Sequence, residues 1–451
     1  SARGLAWHPR GIVYVPILPG DLAALDAATG REIWRVRNAN WRSGATLSSA
    51  PLVAGDVVLV GMAGSEYGAR GYLTAYQADN GKLLWRGYTT GPDADLLLSG
   101  PAEPRLRGQG LSSWPTDAWR QGGGTTDGWL TWDPRSRIVF HGTGAPAPWN
   151  GTARPGDNKW TSSILARDLA TGQVRWAFQV TTGDAWGYGA ETENILADLT
   201  IGGQRVPALV HIGRNGFAYT LDRLSGRLLV VERAGPVNWV SHVDPNSGVP
   251  TKEPRYVPPA SGTTRGICPA TVGLKGSAPA AFSPATALVY APLMNLCMDV
   301  TTQPPALLPG QPYLGATWKL LPGPGPSMGR LIAWDPAMGA IRWEVGEPYP
   351  ILGGVLATAS GLVFYVTTDG WLKAVDQQGG RERLRYRLPA GSIGSPMTYL
   401  GPDGRQYLAV LLGLGGWPGL ANAAAVRPPT WDSSTPGLLL VLALPTAEPP
   451  E

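Results

Sequence analysis

One short pattern recurs down this chain and constrains its fold more than any other feature. An apolar run is followed by an aspartate, a glycine four residues on, and a tryptophan four after that. It reads Asp26, Gly30, Trp34 in LAALDAATGREIW, and returns as Gln77, Gly81, Trp85, as Asp168, Gly172, Trp176 and as Asp335, Gly339, Trp343. Weaker copies are Asp222, Gly226, Val230 and Asp376, Gly380, Leu384. Each copy reads as a β-hairpin in which the glycine supplies the positive φ of the turn. The tryptophan falls on the following strand, where its flat ring can be buried between neighbouring sheets. Such a unit cannot cover both of its faces alone, so copies must stack. Radial stacking of four-stranded sheets gives an all-β propeller.

Counting strand pairs around each copy gives seven blade units in a single domain over residues 1–451, at approximately 4–36, 50–88, 129–179, 194–232, 281–346, 353–388 and 392–445. The Gly/Pro/Trp-rich segments 97–125, 141–160, 234–280 and 300–329 read as long loops gathered on the faces, where loops of such length serve function or contact. The run Gly437–Leu444 reads as a buried strand, and the last unit has no outer strand of its own. Residues 1–3 are too short to supply one. Either the last blade has three strands, or something outside the chain closes the ring. An open seam would invite a partner chain by strand addition.

Composition supports this reading. The 61 glycines and 43 prolines punctuate many short apolar runs, which suits a turn-rich β protein rather than disorder. Net charge is only +4 and the basic residues are scattered, which argues against nucleic-acid binding. No apolar stretch approaches the roughly 20 residues of a membrane span. The opening Ser1-Ala2-Arg3-Gly4 shows no signal peptide, in keeping with a processed or trimmed chain. The histidines, His8, His141, His211 and His242, are isolated and read as structural rather than as metal ligands. There is no CxxCH, so no c-type haem attaches here. The two cysteines, Cys268 and Cys297, read by themselves as either a disulfide or two buried thiols.

Several runs carry a family resemblance. GGVLATASGLVFYVTTDGWLKAVD, RPGDNKW, IGRNGFAYTLDR, TGPDADL and GLGGWPG resemble the quinoprotein (PQQ-dependent) alcohol and methanol dehydrogenases, from Arg3 to the C-terminus. The resemblance implies an eight-bladed propeller, a periplasmic or extracellular location, and pyrroloquinoline quinone (PQQ) on the axis. It also implies Ca²⁺ or a lanthanide beside the quinone, and a c-type cytochrome as electron acceptor. The runs ICP and LCMD match as well, which implies a Cys268–Cys297 disulfide. Family members carry a further N-terminal stretch, holding a blade, a closing strand and an adjacent-cysteine ring, so seven units here stand against eight.

The chemistry departs further. Of the family's oxygen ligands, the glutamate falls on Glu66 in GSEYGARG, but the asparagine position is Ala145 and the catalytic aspartate position is Gly187. Hard cations need that oxygen set, and neither replacement has a donor side chain. No catalytic residue is therefore expected. The extra aspartate of lanthanide enzymes is Gly189, the tryptophan floor under the quinone is Asp127, and a quinone-contacting asparagine is Gly276. Arg3, Ser48, Arg214 and Trp417 remain as cofactor-binding candidates together with Glu66. Three of these have a plainer reading: Arg214 as a strand cap, Glu66 as an arginine's partner, Trp417 as packing. Asp127 offers a substitute ligand beside Glu66. Restoring Ala145→Asn, Gly187→Asp and Asp127→Trp together is expected to improve quinone binding.

Losing base, ligands and floor together removes what a metal-assisted oxidation needs. The preferred expectation is thus a non-catalytic structural or binding subunit of a periplasmic or extracellular assembly, with a partner chain at the seam. The alternative is a PQQ-dependent alcohol dehydrogenase passing electrons to a c-type cytochrome. A sugar-binding propeller using Trp149 or Trp160 is a third class.

Overall fold

In a computed structural model of the chain, residues 4–98, 105–308, 310–416, 419 and 437–444 are described. Arg3 and Trp417 lie outside them. The structure is an all-β propeller whose sheets pair their strands antiparallel, most of them as meanders of consecutive strands.

The turn of each repeat explains why the sheets form. The Asp26 carboxylate accepts the N–H groups of Ala28 (3.1 Å) and Thr29 (2.8 Å), and the Gly30 N–H closes the turn on the Asp26 carbonyl at 2.8 Å. Asp168, Asp222 and Asp335 cap their turns in the same way. The repeat glycines all take φ between +67° and +73°, where a side chain is strained. Each strand pair next to such a turn carries a register shift, the bulge that a left-handed glycine accommodates.

Six four-stranded sheets follow in order. The first comprises Ala6–His8, Ile12–Ile17, Asp21–Asp26 and Glu32–Arg37; the second Leu52–Ala54, Val57–Val60, Tyr72–Gln77 and Leu83–Tyr88. The third comprises Leu130–Asp133, Ile138–Gly142, Ser163–Asp168 and Val174–Gln179; the fourth Ile195–Ile201, Gln204–Ile212, Phe217–Asp222 and Leu228–Arg233. The fifth comprises Ala281–Ser283, Leu288–Met294, Gly329–Asp335 and Ala340–Glu347; the sixth Val355–Ala357, Leu362–Val366, Trp371–Asp376 and Glu382–Arg387. A seventh sheet has three strands among the described residues, Met397–Leu400, Gln406–Leu412 and Leu438–Ala443.

The repeat tryptophans join one sheet to the next. Trp34 donates its indole N–H to the Ala78 carbonyl (3.0 Å), Trp85 to Leu169 (2.9 Å), Trp176 to Arg223 (3.0 Å) and Trp343 to Gln377 (3.0 Å). Every acceptor is the residue just after the capping position of a following sheet. The same rings lie over that sheet's repeat glycine. A Cβ on Gly81 would stand 2.8 Å from the Trp34 ring, on Gly172 2.5 Å from Trp85, on Gly226 2.6 Å from Trp176, and on Gly380 2.7 Å from Trp343. The glycine therefore serves twice: it makes the turn and it leaves room for the neighbour's indole. Where Val230 replaces the tryptophan, Gly339 receives the valine instead, at 2.7 Å.

Two expectations are corrected. Segments 234–280 and 300–329, read as loops, carry strands. Val240–Val243 pairs with Pro250–Lys252, and Gly262–Ile267, Leu296–Thr302 and Ala316–Pro322 form a separate three-stranded sheet. That excursion packs its inner face on the third and fourth sheets, through Met298, Val300 and Leu320 against a cluster holding Phe140, Trp186, Tyr219 and Trp239. It also reaches other sheets. The Tyr313 N–H meets the Glu66 carbonyl (2.6 Å), the Trp149 N–H meets the Leu314 carbonyl (2.8 Å), and Trp149 packs on Trp318 with centroids 4.9 Å apart.

The second correction concerns Gly437–Leu444, which is not buried. Leu440 and Leu442 pack toward Val366, Leu372 and Leu388, but Leu439 is 62% exposed and Val441, Leu411 and Met397 are exposed beside it. That face of the seventh sheet meets no other sheet among the described residues.

The expected disulfide is present. Cys268, just after the Gly262–Ile267 strand, is bonded to Cys297 with Cα atoms 4.4 Å apart.

Candidate functional site

The segment holding the family's catalytic position is wound around a buried acid. The Asp184 carboxylate accepts the N–H groups of Trp186 (3.0 Å), Gly187 (3.0 Å) and Gly189 (2.9 Å), and the Ser162 hydroxyl (2.9 Å). Arg154, itself buried, donates to the Asp184 carbonyl and to Asn158 Oδ1 at 2.6 Å; burial lowers its pKa to about 10. This winding puts Gly187 at φ +75° and Gly189 at φ +61°. A Cβ on Gly187 would stand 2.8 Å from Thr271 Oγ1 and 2.9 Å from the Trp149 ring. Position 187 thus has neither a carboxylate nor the room for one. The expectation that Gly187→Asp would help restore quinone binding is corrected accordingly, since that aspartate would first displace Thr271 or Trp149.

A carboxylate reaches this region from further along the chain. Glu191 Oε2 lies 2.1 Å from where a Cβ on Gly189 would be, and Oε1 lies 3.0 Å from where one on Gly144 would be. Arg214 faces it, with Nη1 to Glu191 Oε2 at 3.4 Å and Nη2 donating to the Thr271 carbonyl at 2.5 Å. The Arg214 Nε is buried without an acceptor among the described residues. Sequence reasoning singled out Arg214 and missed Glu191, which occupies no family ligand position. The available signal was an acid two residues past Gly189, where two expected acids are gone.

The remaining candidates gather along adjoining segments. Thr46 and Ala63 exchange backbone hydrogen bonds (3.0 and 2.9 Å), which brings the half-buried Ser48 segment beside the short 3₁₀ turn Ser65–Tyr67 that carries Glu66. Thr126 and Met62 are bonded through the Thr126 N–H (2.9 Å) and the Thr126 hydroxyl (3.1 Å), so Asp127 follows directly on the Glu66 side. The Glu66 carboxyl, although solvent-accessible, is crowded by protein; dehydration and the Asp127 charge hold it above the usual carboxylate range. Asp127 Oδ1 accepts the Thr125 hydroxyl at 2.9 Å. Ala145 is buried, and Gly276 faces the Met294 methyl. Trp160 is buried too, which removes it as a sugar-stacking surface, and Trp149 is packed on Trp318.

These residues do not fit a hard metal ion. Glu66 stands without ligand side chains at 145 and 187, and no group of three or more His, Cys, Asp or Glu suited to a metal occurs among the described residues. Asp127 adds one carboxylate near Glu66, with no third His, Cys, Asp or Glu joining the pair among the described residues. His141 and His211 are buried, with pKa values lowered to about 3 by dehydration and by the charges of Arg167 and Lys275 respectively, and each serves hydrogen bonding within its sheet. Among the described residues, the candidate guanidinium for an anionic quinone is Arg214, already engaged with Glu191. No helix of the described residues is long and apolar enough to cross a membrane.

Comparison with known proteins agrees with the fold. Residues 37–241 and 325–408 match the family described as "PQQ: Glucose/ethanol/alcohol dehydrogenase, beta-propeller domain". The lanthanide-dependent methanol dehydrogenase of Methylacidiphilum fumariolicum (strain SolV) is 41% identical over 435 residues, 94% of this chain and 71% of that protein. Methanol dehydrogenase [cytochrome c] subunit 1 of Paracoccus denitrificans is 39% identical, over 95% of this chain and 70% of its own length. Among solved structures, a europium-containing methanol dehydrogenase superposes with a TM-score of 0.91 at 41% identity, over 95% of this chain and 76% of the other. The quinohemoprotein alcohol dehydrogenase of Comamonas testosteroni gives 0.87 at 33% identity, over 100% of this chain and 68% of the other.

Proposed function

Because this chain belongs to the PQQ-dependent glucose/ethanol/alcohol dehydrogenase β-propeller family, we propose that its role is an oxidoreductase one: PQQ-dependent oxidation of an alcohol, with electrons passed to a c-type cytochrome. The observation that carries this reading is 41% identity over 94% of the chain to a methanol dehydrogenase. The relatives' names favour it over a non-catalytic role. The disulfide supports a periplasmic or extracellular setting, where such bonds persist. When bound, PQQ supplies the electron acceptor; Arg214, whose side chain is a quarter exposed, is the residue that would orient it. The metal does not fit, so no step is assigned to it.

A second reading, a non-catalytic structural or binding subunit, is favoured by position 187, which has no base and no space for one. In that reading the exposed face of Met397, Leu411, Leu439 and Val441 is where a partner chain docks.

Dialysis of the purified protein against PQQ with Ca²⁺, La³⁺ or neither, followed by an absorbance scan and a dye-linked assay with methanol and ethanol, separates the two. Retained quinone with turnover supports the dehydrogenase. Quinone-free protein under every metal, with no turnover, overturns it and leaves the binding subunit.

A further inference from the structure

We infer that Glu191 is a specificity-determining residue of this site, an internal counter-charge that occupies Arg214 and lowers the site's affinity for an anionic quinone. This rests on the reading of Arg214 as the quinone-orienting residue. Four observations carry it. The ion pair is close, 3.4 Å, and both partners are largely buried, with side chains 25% and 15% exposed. The carboxylate lies where only glycines leave space, against Gly189 and Gly144, so a side chain at either position would push it away. The second guanidinium nitrogen is tied to the Thr271 carbonyl, and Nε is left over with no acceptor among the described residues. Finally, the segment carrying Asp127 runs against Glu191, since the Trp129 N–H meets the Glu191 carbonyl at 3.3 Å and a Cβ on Gly128 would stand 2.6 Å from the Glu191 Cβ, so a second carboxylate adjoins the site.

The consequence is electrostatic. A carboxylate arriving at Arg214 meets a guanidinium whose charge is already balanced, and must approach Glu191 to use it. Two like charges in a partly dehydrated site repel far more than in bulk water. A neutral ligand of the same shape does not experience that repulsion. Glu191 therefore discriminates by charge rather than by size, which is selection by a repulsive element.

The test is Glu191→Gln, which keeps shape and removes charge. PQQ alone is titrated into wild-type and variant protein by absorbance, with the neutral quinone 1,10-phenanthroline-5,6-dione as control and thermal melting to verify folding. Glu191→Gln is expected to bind PQQ at least ten-fold tighter, with a steeper loss on adding salt, and to leave the neutral quinone unchanged. Glu191→Ala should reproduce the gain should the glutamine variant fold poorly. Equal PQQ affinity in wild type and both variants overturns the inference, as does an equal gain for the neutral quinone. Adding Arg214→Leu to Glu191→Gln should abolish the gain. A gain that survives this second change overturns the reading of Arg214 itself, and absence of PQQ binding in every variant overturns both.

Discussion

Substituting alanine at two repeat glycines separates the two duties assigned to that residue. Gly30 and Gly226 have nearly the same backbone, φ +72° and +73°, and both close their turns on a capping aspartate with a 2.8 Å hydrogen bond. They differ in what lies above them. A Cβ on Gly30 meets nothing within 4 Å, whereas one on Gly226 stands 2.6 Å from the Trp176 ring. Gly30→Ala therefore carries only the left-handed backbone term, about 1–2 kcal/mol. Gly226→Ala carries that term and an overpacking term of about 1–3 kcal/mol, because the indole is buried and tied to Arg223. The difference between the two is the quantity of interest. Equilibrium urea unfolding of both variants, with m-values checked for constancy, measures it. In a Trp176→Ala background the extra loss at Gly226 should vanish, a coupling readable from the double-mutant cycle. Equal destabilisation by Gly30→Ala and Gly226→Ala would refute the claim that the glycines make room for the tryptophans.

Two further outcomes are expected. Reducing the disulfide, or the pair Cys268→Ala with Cys297→Ala, should destabilise the protein by ~3.5 kcal/mol for its sequence separation of 29, read as a shift in urea midpoint; an unchanged midpoint would show that the excursion gains nothing from the link. His141 and His211 are held neutral, with folded pKa values of about 3 against an unfolded value near 6.5, so the unfolded chain binds more protons between those limits. Their contribution is complete above pH 6.5 and is lost as pH falls, at up to ~2.7 kcal/mol per pH unit for the pair. Unfolding free energy that stays flat from pH 7 to pH 5 would contradict this.

The sequence was most legible where structure is local. The capping aspartate, the left-handed glycine and the tryptophan lie within one hairpin, so their spacing alone points to the turn and to the stacking of units. The excursion was not legible because Gly262–Ile267 finds its partner strand at Leu296–Thr302, across the intervening fifth-sheet strands. Nothing near residue 262 announces that pairing. Exposure of the Leu438–Ala443 strand was misread for a similar reason: its apolar residues are alike on both faces, and only a neighbouring sheet decides which face is covered. At the site, the losses at 145 and 187 could be read residue by residue. The acid at 191 could not, because it reaches Arg214 only once Asp184 has turned the backbone through Gly187 and Gly189.

The excursion from the fifth sheet behaves as a chord across a hoop. The tryptophans link sheets in series, so a weak joint anywhere in that sequence would let the hoop open. The contacts of Tyr313 with Glu66 and of Leu314 with Trp149 cut across it, tying residues next to the second and third sheets to the fifth without passing through the fourth. Like the tie-beam of an arch, the chord resists spreading rather than compression. The turn that carries Glu66 is therefore tied to the excursion independently of the interlock where Val230 stands in for a tryptophan.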